Sequence, residues 1–348
     1  MTNDSSVDVL NLTLDELKEK FKKDGIEPYR AAQVHQWVFE KGVYDFKSMS
    51  NLPESLRADL KKKYSIFLPE ISEEQKSSGD KSVKLLLKLQ NNDFVEAVYM
   101  RVDNQRTVCI SSQVGCKFHC AFCASGQDGF LRNLSVGEIL GQILRARDLS
   151  EDKKITNVVF MGIGEPFDNY KNVLKAIRQL NAKSVLGLGA RRITVSTCGV
   201  IPKMYEFSEE GMQIELSVSL HGPNDSVRGS IMPVNKAHPV KELIEACKKY
   251  TQKTKRVITF EYILIKGVNA SNKEAEELGR LLKSLLCKVN LIPYNSIEEF
   301  PHEAPNYDEV VSFQKILQRH GVKTTVRFSK GQDIQAACGQ LRSVQLKK

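Results

Sequence analysis

The sequence predicts an α/β fold: six consecutive βα units preceded by a small helical region and a β-hairpin. Three observations carry this. From Thr107 onward, short apolar runs rich in Val and Ile alternate with amphipathic stretches at helical spacing. The first 65 or so residues hold helical periodicity instead. Between the two lie a polar stretch at 70–81 and two strand-like runs separated by four polar residues. Six βα units in a row imply parallel strands with right-handed crossovers, arranged as an open barrel or a doubly wound sheet.

Residues 1–12 read as a frayed lead-in. Thr13 and Glu16 form a capping-box pattern before Leu14, Leu17 and Phe21, with Gly25 after the helix end. A second helix is expected over Arg30–Lys41 with Val34, Trp37 and Val38 inward, and a third from Pro53 to Lys61-Lys62-Lys63. These basic points could touch phosphates, although lysines on a solvated face are commoner. Residues 1–70 are taken as an accessory unit that could dock RNA, and 71–103 as linker plus hairpin. The catalytic core is placed at 104–341 and a basic tail at 342–348. The hairpin strands are Val83–Leu89 and Phe94–Arg101. Glu96 lies in the second, and on pattern alone its charge faces outward.

The core strands are expected at Val108–Ser112, Asn157–Met161, Arg192–Ser196, Gln213–Leu220, Val257–Ile265 and Lys288–Pro293, with a seventh at Lys323–Phe328. The helices between them are expected at Ser135–Asp148, Asp168–Asn181, Pro202–Glu210, Val240–Thr251, Asn272–Leu285 and Tyr307–His320. Active sites in such folds gather at the C-terminal ends of the strands.

Composition narrows the function. No stretch of 18 apolar residues occurs, so no membrane span is expected. The N-terminus lacks a secretion signal, and a cytoplasmic location is expected. Eight cysteines in 348 residues then point to metal or redox chemistry rather than structural disulfides. Net charge is +9, and residues 1–80 carry −3 of it while the remainder carries +12. A basic catalytic region fits a polyanion such as RNA.

The chemistry centres on Cys116, Cys120 and Cys123, just after the first core strand. Three thiolates can hold three irons of a 4Fe–4S cluster and leave the fourth open to a small molecule. The same spacing also fits a buried helical stripe, or a zinc site with His119 as a further ligand. After the second core strand, Gly162, Gly164 and Pro166 flank Glu165 in a turn where bare backbone can approach a ligand. Ser196, Ser219, Leu220, His221 and Asn295 mark later strand ends. Cys338 lies between two alanines and a glycine, an accessible setting, and Cys109 lies seven residues before Cys116. Two such thiols could pair reversibly if brought close. Cys198, Cys247 and Cys287 read as buried apolar cysteines.

The Cys-x3-Cys-x2-Cys triplet followed by Gly164-Glu165-Pro166 resembles the radical S-adenosylmethionine (SAM) superfamily. That resemblance implies a partial (β/α)6 barrel. The runs Cys109–Cys116, Ser219–Asp225, Asn290–Asn295 and Asp333–Leu341 resemble the RlmN/Cfr family of RNA methyltransferases over nearly the whole chain. The family resemblance implies methylation of adenine C2 in 23S rRNA and a subset of tRNAs. Cys116, Cys120 and Cys123 would bind one 4Fe–4S cluster. Gly164, Glu165, Ser196, Ser219, Leu220, His221 and Asn295 would bind SAM, two molecules being used per turnover. Cys338 would carry the methyl group as S-methylcysteine, Glu96 would accept the C2 proton, and Cys109 would resolve the RNA adduct through a transient disulfide with Cys338. The resemblance thus overrides the outward reading of Glu96. It also implies a low-potential donor of flavodoxin or ferredoxin type and a monomeric enzyme. The alternative is the Cfr-like C8 methyltransferase, against which Val114 before Gly115 argues, because the C8 branch tends to carry Cys there.

Overall fold

The computed structural model describes residues 6–127 and 129–343. Strand β1 (Val7–Asp8) pairs in parallel with β2 (Tyr64–Ser65). Val9 and Leu10 behind it are fully buried, so the segment expected to fray is tied down from Val7 onward. Helix α1 (Leu14–Lys23) opens with the expected capping box: Thr13 Oγ1 accepts from the Glu16 N–H, and Glu16 reaches back to the Thr13 N–H. Helix α2 (Tyr29–His35) runs on through a wide turn at Gln36–Glu40, and α3 (Glu54–Lys63) completes the unit. Its apolar side chains form one continuous cluster with those of the region that follows. Residues 344–348 of the expected basic tail lie outside the described residues.

Strands β3 (Glu70–Lys76), β4 (Ser82–Lys88), β5 (Phe94–Val102) and β6 (Gln105–Cys109) pair antiparallel in succession. The expected hairpin is therefore the middle of a four-stranded ribbon, and half of the stretch read as a linker is its edge strand. Most side chains of β3 are exposed, so the backbone ladder rather than a buried face holds it. Strands β7 (Gln113–Gly115) and β8 (Phe130–Asn133) form a short hairpin that brackets the cysteine segment.

Helix α4 (Val136–Asp148) begins the regular alternation. It continues through β9 (Asn157–Phe160), α5 (Tyr170–Asn181), β10 (Ile193–Thr197), α6 (Ile201–Glu209) and β11 (Glu215–Ser219). Next come α7 (Asp225–Ile231), α8 (Val240–Thr254), β12 (Ile258–Leu264) and α9 (Asn272–Leu282). Strand β13 (Cys287–Pro293), α10 (Tyr307–Arg319) and β14 (Lys323–Val326) finish it. Capping boxes at Ser135/Glu138, Ser271/Glu274 and Asn306/Glu309 fix where α4, α9 and α10 start.

Strand order decides between the two architectures. Strands β6 and β9 to β14 neighbour one another strictly in sequence and in parallel. A doubly wound sheet reverses its order at a switch point. This sheet has none, so right-handed crossovers place the helices on one face and leave the other as the inside of an open barrel. Strand β6 joins the antiparallel ribbon to that barrel in one ten-stranded sheet.

Candidate active site

The inner face of the barrel is polar where it matters. Register sets Ser196 beside Ser217, Ser219 beside Glu261, and Glu261 beside Asn290. Above these residues lies a cavity of about 930 Å³, lined by the thiols of Cys116, Cys120, Cys123 and Cys338 and by Glu165, Ser196, Ser219 and His221. Burial raises the pKa of all three triplet thiols, with Cys116 pushed up to about 12, and Cys120 is raised further by its thiol neighbours. His119, the alternative zinc ligand, turns Nδ1 to within 2.8 Å of the Gly126 carbonyl oxygen.

The glycine turn after β9 is held by close approach. Gly164 has φ +99°, and a Cβ there would come within 2.5 Å of Gln113 Cβ. Glu165 is buried against the cavity, but its carboxylate is committed. Oε1 accepts from the Phe167 N–H at 2.9 Å and Oε2 from the Cys198 N–H at 2.7 Å. It therefore pins the turn to the end of β10. Burial raises its pKa and those two N–H groups oppose the shift. His221 accepts from the Ile263 N–H through Nδ1, so its neutral form carries the proton on Nε2. Burial and the Arg228 guanidinium lower its pKa to about 3.

Two residues expected at the cofactor stand outside the lining of this cavity. Leu220 is fully buried in the core, and its N–H donates to the Glu261 carbonyl. Asn295 faces the C-terminal loop: Nδ2 donates to Ser329 Oγ at 2.8 Å and to the Cys338 carbonyl at 3.4 Å, and Oδ1 accepts from Gln332. Neither lines the cavity.

A second cavity of about 560 Å³ adjoins the first and is lined by Cys109, Cys338, Arg327 and Phe328. Cys338, Arg327, Met161 and Ile292 belong to both. Burial and the neighbouring Cys338 push the Cys109 thiol up to about 12, while Cys338, raised by burial, is eased by Arg327. The loop carrying Cys338 is fastened at many points. Asp333 accepts from Ser77 and Ser78 at 2.8 Å each, and Gly331 N–H donates to Asp80. The Ala124 N–H donates to the Gly339 carbonyl at 2.7 Å, Ser125 to the Leu341 carbonyl, and the Gly115 N–H to Ser343. Gly339 has φ +87°, and a Cβ there would stand 3.1 Å from the Phe122 carbonyl oxygen.

Glu96 is buried, against the pattern-only reading. Its Oε1 lies 3.2 Å from Lys84 Nζ, and Oε2 accepts from the Arg342 N–H at 2.9 Å. It opens on a third cavity across the C-terminal loop, rather than on either cavity that holds Cys338.

Comparison with known proteins places this arrangement. Residues 110–280 match the model of the radical SAM superfamily, and residues 7–66 match the ribosomal RNA large subunit methyltransferase N-terminal domain. A curated protein of Clostridium novyi named "Probable dual-specificity RNA methyltransferase RlmN" is 43% identical over 96% of this chain and 97% of its own length. The chain belongs to the RlmN family of radical SAM methyltransferases. A relative of the same name from Thermoanaerobacter sp. is 44% identical over 97% of this chain and 98% of its own length. The crystal structure of a radical SAM methyltransferase from Sphaerobacter thermophilus superposes with a TM-score of 0.94 at 42% identity, covering 97% and 99% of the two chains.

Membership of the RlmN family implies SAM and a 4Fe–4S cluster. The residues fit both. Three half-buried thiols on one cavity hold their protons until a strongly cationic group draws them as thiolates, which a cluster does. Glu261 supplies a second sign: its Oε1 accepts from Ser217 and Asn290, while Oε2 is buried without a partner among the described residues and the side chain lines the cavity. The sequence reading of this RlmN-family chain missed Glu261, Arg327 and the cavity position of Cys198. Their signal was an ionisable group within an apolar strand, or directly after one.

Proposed function

We propose that this chain methylates C2 of an adenine in 23S rRNA and in a subset of tRNAs, with Cys338 as methyl carrier. The observation that carries the reading is the position of Cys338 where two cavities meet, with the cysteine triplet on one side and Cys109 on the other. Cys116, Cys120 and Cys123 would hold the cluster. When bound, cluster and SAM supply the methyl group and a 5′-deoxyadenosyl radical, two SAM molecules being used per turnover. Gly164, Ser196, Ser219 and His221 would line the SAM subsite, with Glu165 keeping the glycine turn in place. Leu220 and Asn295 would act indirectly, by carrying His221 and the Cys338 loop.

The buried carboxylate of Glu96 would take the C2 proton, a role suited to a base of raised pKa. Cys109 would then attack Cys338 and free the RNA by disulfide formation. Arg327, beside both thiols, would favour the thiolate needed at each step. The net charge of +9 suits an RNA partner. We assign a monomer working in the cytoplasm with a flavodoxin- or ferredoxin-type electron donor; no helix among the described residues is long and apolar enough to cross a membrane.

Nucleoside mass spectrometry of 23S rRNA and tRNA from cells with and without the gene tests the reading. Loss of 2-methyladenosine on deletion is the expected result. Loss of 8-methyladenosine instead, or no change, would overturn it.

A further inference from the structure

The third cavity, about 580 Å³, contains a pair that the reaction scheme leaves unexplained. Lys84 on β4 stands diagonally across from Glu96 on β5, because Lys84 pairs with Val98 and Leu86 with Glu96. Each side chain is only 9% exposed, and Nζ lies 3.2 Å from Oε1. A buried ion pair is a poor stabiliser, since desolvation offsets its attraction and an apolar pair of the same volume serves as well or better. Its presence at the carboxylate read as the proton acceptor therefore calls for a functional reason.

The other charges facing Glu96 do not supply one. Glu73 on β3 repels it. Arg342 on the C-terminal loop approaches through its backbone N–H, while its guanidinium binds Glu299 at 2.7 Å. Lys84 is the cation that the sheet itself delivers to the carboxylate.

We propose that Lys84 is the positioning residue of the proton acceptor, keeping Glu96 a carboxylate and fixing one of its oxygens while the C-terminal loop holds the other. The inference rests on the reading of Glu96 as the base. In that step the adenine C2–H bond breaks, the proton passes to Glu96, and the bonding electron pair stays with the ring. Burial alone favours the protonated acid, which cannot accept that proton. Removing Lys84 leaves burial and Glu73 less opposed, so the carboxylate is lost at a higher pH as pH falls.

The test uses reconstituted holoenzyme as wild type, K84M, K84R and E96Q, with iron content and far-UV circular dichroism reporting folding. Difference infrared spectroscopy follows the protonated carboxyl band that E96Q lacks, and single-turnover methylation of RNA is measured against pH. In K84M the band should titrate about 1–3 pH units higher, and the acid limb of methylation should move with it. K84R should restore both. If K84M does not retain its cluster, K84Q takes its place in both measurements. A neutral variant that titrates and methylates with the wild-type pH dependence overturns the proposal. E96Q methylating RNA like wild type would instead overturn the base reading beneath it, whatever the infrared titration of K84M shows.

Discussion

Glu165→Gln isolates the fastening of the glycine turn. In the native structure both carboxylate oxygens accept backbone N–H bonds, from Phe167 at 2.9 Å and Cys198 at 2.7 Å, at a buried site. The amide keeps one acceptor and turns an NH2 group toward the other N–H. The variant loses one bond to a charged group, roughly 1.5–3 kcal/mol, and leaves a buried donor unsatisfied, roughly 1–3 kcal/mol. Relief from burying a charge offsets part of this, because burial already raises the Glu165 pKa. The net loss should be about 2–4 kcal/mol. Anoxic urea unfolding of the holoenzyme reads it directly, and equilibrium SAM binding should weaken in parallel because the turn lines the cavity. Sign matters for the pH series. A carboxyl whose folded pKa is raised is stabilising while protonated, so its contribution declines as pH rises from its unfolded pKa through the folded one. The wild type minus E165Q difference should therefore change across that acidic window and be flat above it. An E165Q enzyme within 0.5 kcal/mol of wild type at neutral pH, on the scale of about ±0.5 kcal/mol for an uninvolved site, would refute the reasoning.

Other expected outcomes follow from the same site. Cys338→Ala should abolish RNA methylation while iron and sulfide content and SAM cleavage persist; loss of the cluster would contradict the carrier role. Cys109→Ala should accumulate a covalent RNA adduct on Cys338, seen as a slow band in denaturing gels, and free methylated product would refute its resolving role. Gly164→Ala combines φ +99° with a Cβ about 2.5 Å from Gln113 Cβ. It should destabilise the enzyme by about 2 kcal/mol or more in the same urea assay.

Much of the site was legible because its residues lie close together in sequence. Cys116, Cys120 and Cys123 share one loop, and Gly164-Glu165-Pro166 another, so spacing alone reported them. What depended on direction was not. Glu96 and Glu261 both interrupt apolar strands, and a period of two cannot say whether the odd face meets water or an inner cavity. Leu220 and Asn295 were rightly placed at strand ends, but an end residue turns inward or sideways according to distant neighbours. The βα alternation was readable from periodicity. The strand over Glu70–Lys76 was not, because it buries little and exists through its ladder with β4. A tight hairpin joins β5 to β6, and the longer-range parallel pairing of β6 with β9 makes ribbon and barrel one sheet.

The fastening of residues 331–343 has a consequence for synthesis. Every anchor of that loop, from Ser77, Ser78 and Asp80 to Glu96, Gly115, Ser125 and Asn295, is translated before it. The loop therefore seats on a sheet and a cysteine segment that are made before it. If Cys338 carries the methyl group as proposed, removing the chain after Phe328 should abolish methyl transfer without removing a strand of the sheet.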